Sequence, residues 1–187
     1  MRQQRSFVWV VATVVVAVGL AMLGSAEGRE ARVRVTAFFS PDGGVTKAVS
    51  ERIRAAKKSL DVAMYVFSAS ALATDVLAAH KRGVKVRVLI DGRMSRRWSK
   101  AKDLREHEVP LWRVYLRKGR EDATEPQFHH KFAVIDGETV ITGSFNWTVM
   151  AEESNHENLV VIRDAKLAEK YVEAFERALA LAQAKSD

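Results

Sequence analysis

The feature that most constrains this chain is a predicted β-hairpin in its second half. Two short β-prone runs, residues 132–135 and 139–142, stand on either side of the dipeptide Asp136-Gly137. This dipeptide favours a tight turn between antiparallel strands, so the segment predicts a hairpin. Because alternate side chains of a strand share a face, His129 and Lys131 are expected on one face of the first strand.

The polar residues around the hairpin are those that a phosphate site requires. His129 and Lys131 precede the turn, Ser144 and Asn146 follow the second run, and Glu157 comes eleven residues after Asn146. A neutral imidazole can attack phosphorus near pH 7, while a cation and neutral donors hold the phosphate oxygens. The pattern therefore predicts a site that binds a phosphate and attacks it.

The remainder of the chain alternates predicted strands with predicted helices. The βαβαβ order of its first part predicts an α/β fold with a mixed, mainly parallel central sheet flanked by helices. The predicted strands are 33–39, 60–67, 84–90, 111–116 and 157–162, in addition to the hairpin, and the predicted helices are 45–58, 71–81, 98–107 and 165–184.

The spacing H-x-K-x4-D-x6-G-S-x-N, which begins at His129, resembles the signature of the phospholipase D superfamily. The segments 60–67 and 81–91 also resemble the small members of that family, which carry one such motif per chain. The resemblance implies a phosphodiesterase with a phospholipase D-like catalytic domain at residues 27–187. Those small members include exported bacterial endonucleases and mitochondrial cardiolipin hydrolase-like proteins.

The resemblance also implies a role for each polar motif residue. His129 would be the nucleophile and would form a phosphohistidine that water then hydrolyses. Lys131, Ser144 and Asn146 would bind the non-bridging phosphate oxygens. Glu157 would accept a hydrogen bond from the ring N–H of a histidine and so fix its tautomer.

Five further residues receive simpler interpretations. Asp136 counts among the catalytic residues as a motif position, but its place in a turn predicts a structural role through bonds to backbone. Gly143 is expected to permit a close backbone approach. His130 and His156 match no motif position and are interpreted as non-catalytic. Trp147 is expected to be a core residue, with a base-stacking platform as the alternative.

A single motif raises the question of the second acid or base. Phosphoryl transfer by this route needs another group to protonate the leaving oxygen, yet His80 and His107 are not followed by lysine at the required offset. We therefore expect a homodimer in which His129 of each subunit meets at the two-fold axis. No cofactor and no metal are expected, because the acidic residues do not cluster with histidine at ligand spacing.

The first 26 residues predict an export signal. Arg2 and Arg5 precede an uncharged apolar run at residues 7–23, and Gly24-Ser25-Ala26 supplies the small residues that a signal peptidase recognises. The alternative is an uncleaved membrane anchor formed by residues 7–23. Either way the domain at 27–187 is expected to be exported, and thus periplasmic, secreted or held at the outer face of a membrane.

Charge and composition restrict the partner without identifying it. The net charge of +7 becomes +5 (28 − 23) without Arg2 and Arg5 of the leader, which suits an anionic substrate, and a basic stretch at residues 93–102 favours nucleic acid. The absence of cysteine excludes disulfides and thiolate chemistry. The first hypothesis is a metal-independent, non-specific endonuclease on DNA or RNA. The alternatives are a phospholipase D acting on phosphatidylcholine or cardiolipin, and a catalytically silent nucleic-acid-binding module. An apolar mouth to the site would favour lipid.

Overall fold

The computed structural model describes residues 33–95, 99–116 and 126–184. Strands and helices alternate through these residues and then end in a hairpin, a strand and a long helix. In chain order they are β1 (Arg34–Ser40), α1 (Val45–Ala55), β2 (Ser59–Met64), α2 (Ser70–Lys81), β3 (Lys85–Asp91), α3 (Ala101–Glu106), β4 (Leu111–Val114), β5 (Lys131–Ile135), β6 (Thr139–Gly143), α4 (Val149–Glu153), β7 (Glu157–Arg163) and α5 (Ala165–Gln183).

The described strands form one sheet in the order β1-β7-β6-β5-β2-β3-β4. The α/β class and the mixed sheet flanked by helices are confirmed, but the expected predominance of parallel pairing is wrong. Only β2–β3 and β3–β4 pair in parallel; the other four pairs of neighbours are antiparallel. The reason is the placement of β5 and β7. Both strands are antiparallel to their neighbours: β7 lies between β1 and β6, and β5 lies between β6 and β2.

The predicted hairpin is confirmed. β5 and β6 pair through Phe132–Thr142 and Ile135–Thr139, and both turn residues have positive φ, 55° at Asp136 and 69° at Gly137. The N–H of Glu138 donates to the carbonyl of Ile135 at 3.1 Å and closes the turn. Aspartate and glycine are among the residues that tolerate two successive positive φ angles.

Alternation along the central strands divides the core into two layers. Val62, Met64 and Ala133 pack on the side of α1 and α2, whereas Ala63 and Phe132 pack on the side of α5. Both faces of β2 are therefore covered, which accounts for its nearly continuous apolar sequence. Asp164 precedes the long helix α5, and its carboxylate caps the helix by accepting the N–H of Leu167 at 2.7 Å.

Some predicted boundaries differ from the structure. The first helix was expected to reach Lys58 but ends at Ala55, because the backbone N–H groups of Lys57 and Lys58 donate to the Asp136 carboxylate instead of continuing the helix. The helix expected at 98–107 is the shorter α3, and the strand expected at 111–116 ends at Val114.

The leader expected at residues 1–26 lies outside the described residues. Within the described ranges, no helix has both the length and the apolar character needed to cross a membrane.

Strand directions bring many chain segments to one edge of the sheet. The carboxyl ends of β1, β2, β3, β4 and β6 lie there together with the amino ends of β5 and β7. Residues that are far apart in the sequence therefore meet at this edge, which is where open α/β sheets commonly bind ligands.

Candidate active site

An open pocket of about 490 Å³ at this edge contains most of the predicted site. Its lining residues are His129, Lys131, Gly143, Ser144, Asn146 and Glu157. They come from the start of β5, the end of β6 with the loop after it, and the start of β7. The structure thus brings together the imidazole, ammonium, hydroxyl, amide and carboxylate that the sequence pattern singled out. Asp136 is not among the residues that line this pocket.

The Lys131 ammonium lies directly against the ring of His129. Its Nζ is 3.1 Å from Nδ1, 3.3 Å from Nε2 and 3.1 Å from the carbonyl oxygen of His129. A neutral imidazole has one acceptor nitrogen and one N–H, so the ammonium can donate to only one of the two ring nitrogens. The cation therefore rests against the ring and the carbonyl, and it is free to turn toward an anion that enters the pocket.

Burial lowers the pKa of both His129 and Lys131, while the neighbouring charges act differently on the two residues. Burial lowers the pKa of His129, the Lys131 ammonium lowers it further, and the Asp91 carboxylate opposes both effects. Burial also lowers the pKa of Lys131, against the opposing charge of Glu157. A lowered pKa leaves more of the His129 imidazole unprotonated near neutral pH, which is the form that can attack phosphorus.

Two residues that the sequence pattern did not single out hold His129 in place. Asp91, only 3% exposed at the end of β3, accepts the N–H of Phe128 through Oδ2 at 3.1 Å. Tyr65, just after β2, donates its backbone N–H to the carbonyl of His130 at 2.7 Å. The Tyr65 ring also lies 4.3 Å from that of His129, centroid to centroid. In the sequence, the one feature that pointed to Asp91 was its position directly after the predicted apolar strand 84–90.

Ser144 is oriented to donate. Its Oγ accepts from the backbone N–H of Asn158 at 3.1 Å and from Nδ2 of the same residue at 3.3 Å. With its oxygen engaged as an acceptor, the hydroxyl retains its own hydrogen for a ligand in the pocket. Gly143 permits this arrangement, as expected, because a Cβ at this position would lie 2.2 Å from the carbonyl oxygen of Asn158.

A buried tryptophan fixes the loop that carries Asn146. Trp147 is 1% exposed, packs edge-on against Phe67 with centroids 5.0 Å apart, and accepts the N–H groups of Ser68 and Ala69 through its carbonyl. The expectation of a core tryptophan is confirmed. Asn146 Oδ1 is buried and has no hydrogen-bond partner among the described residues. Oδ1 is an acceptor, so a donor on a ligand could meet its unmet capacity, whereas Nδ2 is the atom that can donate to a phosphate oxygen.

Glu157 lies in the pocket but not on the imidazole. Its carboxylate accepts from Asn155 Nδ2 at 3.1 Å, and no hydrogen bond of the described residues joins it to His129. The expected bond is therefore not made within one chain, since Lys131 lies against both ring nitrogens and Asn155 engages the carboxylate. The role of Glu157 as the histidine's acceptor stays a prediction.

Asp136 does not line the pocket, and its listing among the catalytic residues stays a prediction that mutation can test. It follows the last residue of β5, about 16 Å along the strand from the end that carries Lys131. Its carboxylate accepts the backbone N–H groups of Lys57, Lys58 and Ser59 at 2.7–3.1 Å. Burial raises the pKa of Asp136, but these three donors outweigh it, and the pKa is lowered. The contacts are those of the structural role that its turn position predicted.

In the parts of the chain that the structure describes, no group of three or more histidine, aspartate or glutamate side chains could hold a metal ion. The hypothesis of metal-free chemistry stays a prediction, which chelation can test.

Known proteins resemble this chain in sequence. Residues 49–179 match the family model described as cardiolipin synthase, PLD-like domain. A phospholipase D of Rickettsia prowazekii is 36% identical over 143 residues, which are 76% of this chain and 66% of that protein. The mitochondrial cardiolipin hydrolase of Xenopus tropicalis is 40% identical over 123 residues, which are 65% of this chain and 55% of the relative. The matches thus span between 55% and 66% of the length of these relatives.

Solved structures resemble it in fold. Nuc from Salmonella typhimurium, a phospholipase D family member, superposes with a TM-score of 0.71 at 34% identity, over 80% of this chain and 95% of that one. NucT from Helicobacter pylori gives the same TM-score at 22% identity, over 79% and 96% of the two chains, and at that identity it indicates the fold alone.

Proposed function

This chain belongs to the phospholipase D superfamily, and we propose that it is a metal-independent, non-specific endonuclease that hydrolyses phosphodiester bonds of DNA or RNA. The observation that carries the proposal is the single pocket shared by His129, Lys131, Ser144 and Asn146. These groups supply a nucleophile, a cation and neutral donors, and together they can bind a phosphodiester and attack it.

The first half of the proposed reaction is attack by His129. One ring nitrogen of its neutral imidazole forms a bond to phosphorus, and the bond from phosphorus to the leaving oxygen breaks. Lys131 turns from the imidazole to the non-bridging oxygens and offsets the charge that develops on them. Ser144 and Asn146 donate hydrogen bonds to the same oxygens. The product of this half is a phosphohistidine, and the leaving oxygen takes up a proton.

That proton has to come from a second group, and we propose His129 of the partner subunit in a two-fold dimer. After giving up its proton, this imidazole can accept one from water, whose oxygen attacks the phosphohistidine and releases His129. His130, the neighbouring imidazole in the same chain, is unsuited to this task because alternation along the strand points it to the opposite face. Sedimentation tests the dimer: a monomer that is fully active at nanomolar concentration would contradict it.

Charge supports nucleic acid as the substrate. The chain carries a net charge of +7, and Lys131, Lys170 and Arg177 line pockets that share His129. Cations along a channel to the scissile bond suit a polyanion, which is bound largely through its phosphates.

A specific observation also favours a second candidate, a phospholipase D acting on phosphatidylcholine or cardiolipin. One pocket beside His129 has a volume of about 450 Å³ and mainly apolar walls, which include Val114, Leu116, Phe128 and Leu181. An apolar wall next to the nucleophile suits the chains of a lipid, and the curated relatives are named phospholipase D and mitochondrial cardiolipin hydrolase.

The deciding experiment is incubation of plasmid DNA with the protein in EDTA, beside a His129→Ala control. We expect nicking by the wild type alone, which would support a metal-independent nuclease with His129 as its nucleophile. Loss of nicking on chelation, restored by Mg²⁺ or Zn²⁺, would contradict the metal-free mechanism. Cleavage of phosphatidylcholine or cardiolipin vesicles, with DNA left intact, would favour the second candidate. Equal nicking by wild type and variant would refute the role given to His129.

We also propose export, with residues 1–26 as a signal peptide. Mass spectrometry of the protein recovered from an expressing bacterium tests this, because removal of the leader leaves a chain that begins at Glu27. Recovery of the intact chain in the membrane fraction would support an anchor at residues 7–23 instead.

A further inference from the structure

Two open pockets extend from His129 along the side of the sheet that α5 covers. One, of about 450 Å³, reaches His130, Arg177 and Leu181, and the other, of about 370 Å³, reaches His130, Lys170 and Tyr171. Both include His129 and Ala174 as well, so they adjoin each other and the catalytic pocket. We call this pair of pockets the α5 groove. None of the catalytic roles proposed above uses it.

A row of aromatic rings forms the floor of the α5 groove. Phe128, His130 and Phe132 are two residues apart and so project to the same side, with ring centroids 5.2 Å and 5.3 Å apart. Phe132 then meets Tyr171 of α5 at 5.0 Å. Phe128 and Phe132 are 4% and 3% exposed, whereas His130 is exposed. His130 is therefore the most open ring of this row, beside the half-buried Tyr171, and no hydrogen bond of the described residues occupies its nitrogens.

Two cations of α5 stand along the same groove. Lys170 and Arg177 are seven residues apart, which is close to two helical turns, so they share a face of the helix about 10 Å apart. Lys170 forms an exposed pair with Glu173 at 3.0 Å, and such surface pairs contribute little and exchange readily. Among the described residues, the Arg177 side chain has no ion pair or hydrogen bond. Both cations can therefore bind an anion without the loss of a strong internal contact.

We propose that the α5 groove is a subsite for the nucleotide next to the scissile phosphate. Its base rests on the exposed ring of His130, and the flanking phosphates lie on Arg177 and Lys170. This inference rests on the proposed nuclease function. Exposed aromatic rings interleaved with cations are the combination that binds a nucleic-acid strand. The acyl chain of a lipid could pack against the apolar walls, but it has no negative charge that Lys170 and Arg177 could bind.

The test compares two substrates in the full-length protein. One is a short single-stranded DNA oligonucleotide, and the other is bis(p-nitrophenyl) phosphate, a minimal diester without neighbouring nucleotides. The quantity measured is the ratio of kcat/KM for the oligonucleotide to that for the minimal diester. For Arg177→Gln and Lys170→Gln we expect this ratio to fall about fivefold, mainly through KM. We also expect the slope of log kcat/KM against log salt for the oligonucleotide to flatten by about 1 per variant.

The aromatic part of the subsite has its own variants. His130→Ala should lower the ratio by about 5-fold to 160-fold, the range for loss of one stacked base. His130→Phe keeps a ring at this position and should recover most of the loss, which separates stacking from a general disturbance of the fold. Lys166→Gln is the matched control. Lys166 is an exposed lysine of the same helix outside the groove, and its loss should change neither the ratio nor the salt slope.

The outcomes separate the two proposals. Wild-type protein that cleaves the minimal diester but not the oligonucleotide would overturn the nuclease function itself. Wild-type protein that cleaves both, with all groove variants at the same ratio as Lys166→Gln, would overturn the subsite alone. A ratio that falls for His130→Phe as far as for His130→Ala would overturn the stacking role of His130.

Discussion

Asp136 offers the sharpest test of the division between catalytic and structural residues, because it belongs to the motif but lies at the far end of β5. We expect Asp136→Ala and Asp136→Asn to lower stability in a graded way and to leave the turnover of folded protein nearly unchanged. The physical reason is that the carboxylate holds three backbone N–H groups, those of Lys57, Lys58 and Ser59, and contacts no residue of the pocket.

The magnitude follows from the contacts of each oxygen. Oδ1 accepts from Lys57, Lys58 and Ser59 at 3.1, 2.7 and 3.0 Å, whereas Oδ2 accepts only from Lys57. Asparagine with its oxygen at the Oδ1 position keeps three bonds but loses the charge and the contact of Oδ2 with the Lys57 N–H, at a cost of about 1 kcal/mol. Alanine loses every acceptor and must also adopt φ 55° without the local hydrogen bonding that makes aspartate and asparagine tolerant of it. We expect about 2–4 kcal/mol for Asp136→Ala after allowance for partial exposure.

Thermal unfolding is the assay. For a chain of this size 1 kcal/mol corresponds to roughly 2–4 °C in Tm, so Asp136→Asn should lose about 3 °C and Asp136→Ala roughly 5–15 °C. The folded pKa of Asp136 is lowered from 3.8. Its contribution is therefore fully present above 3.8 and is lost as the pH falls through the folded value. The difference in Tm between wild type and Asp136→Asn should accordingly be constant near neutral pH and shrink in acid.

Kinetics decide whether the reasoning holds. Both variants should retain kcat within about threefold when assayed well below their Tm, because an unaltered pocket gives an unaltered barrier. A loss of 100-fold or more in kcat with an unchanged Tm would place Asp136 in the chemistry and refute the structural assignment.

Three other substitutions test the pocket itself. Lys131→Met should raise the pKa of His129, measured by NMR titration of its ring protons, because burial remains but the neighbouring positive charge is gone; an unchanged pKa would contradict this electrostatic coupling. Ser144→Ala should lower kcat by about 100-fold through loss of one donor to the phosphate, and an intact kcat would exclude that role. Gly143→Ala should destabilise by about 2–3 kcal/mol in urea titration, because its Cβ would lie 2.2 Å from the carbonyl oxygen of Asn158; a neutral result would mean that β6 and β7 separate easily.

Local patterns carried most of what the sequence predicted correctly. The hairpin was expected at 132–135 and 139–142 and is found at Lys131–Ile135 and Thr139–Gly143. Its signal, Asp136-Gly137 between β-prone runs, lies within a few residues and depends little on the remainder of the fold. The spacing of His129, Lys131, Ser144 and Asn146 likewise predicted a common pocket. The reason is that the residues just before the first strand of a hairpin lie beside the residues just after its second strand, whatever sheet the hairpin joins.

Contacts between distant segments were not predictable in the same way. The position of β7 between β1 and β6 depends on which strands pair. A βαβ order indicates that its two strands run in the same direction, but it does not say which strands are neighbours in the sheet. Asp91 and Tyr65 hold His129 only because β2 and β3 end at the same edge of the sheet. Nothing in their immediate sequence separates them from an ordinary aspartate or tyrosine after a strand.

The spacing between Lys131 and Asp136 acquires a physical meaning from the strand beside it. β5 pairs with β2 from Met64–Lys131 to Leu60–Ile135. One end is fixed by the Tyr65 N–H on the carbonyl of His130, and the other by the Asp136 N–H on the carbonyl of Ser59. A slip of one residue would exchange the faces of β5 and turn Lys131 toward α5, out of line with Ser144. The backbone of Asp136 thus helps to hold the register of β5, while its side chain lies a full strand away from the pocket.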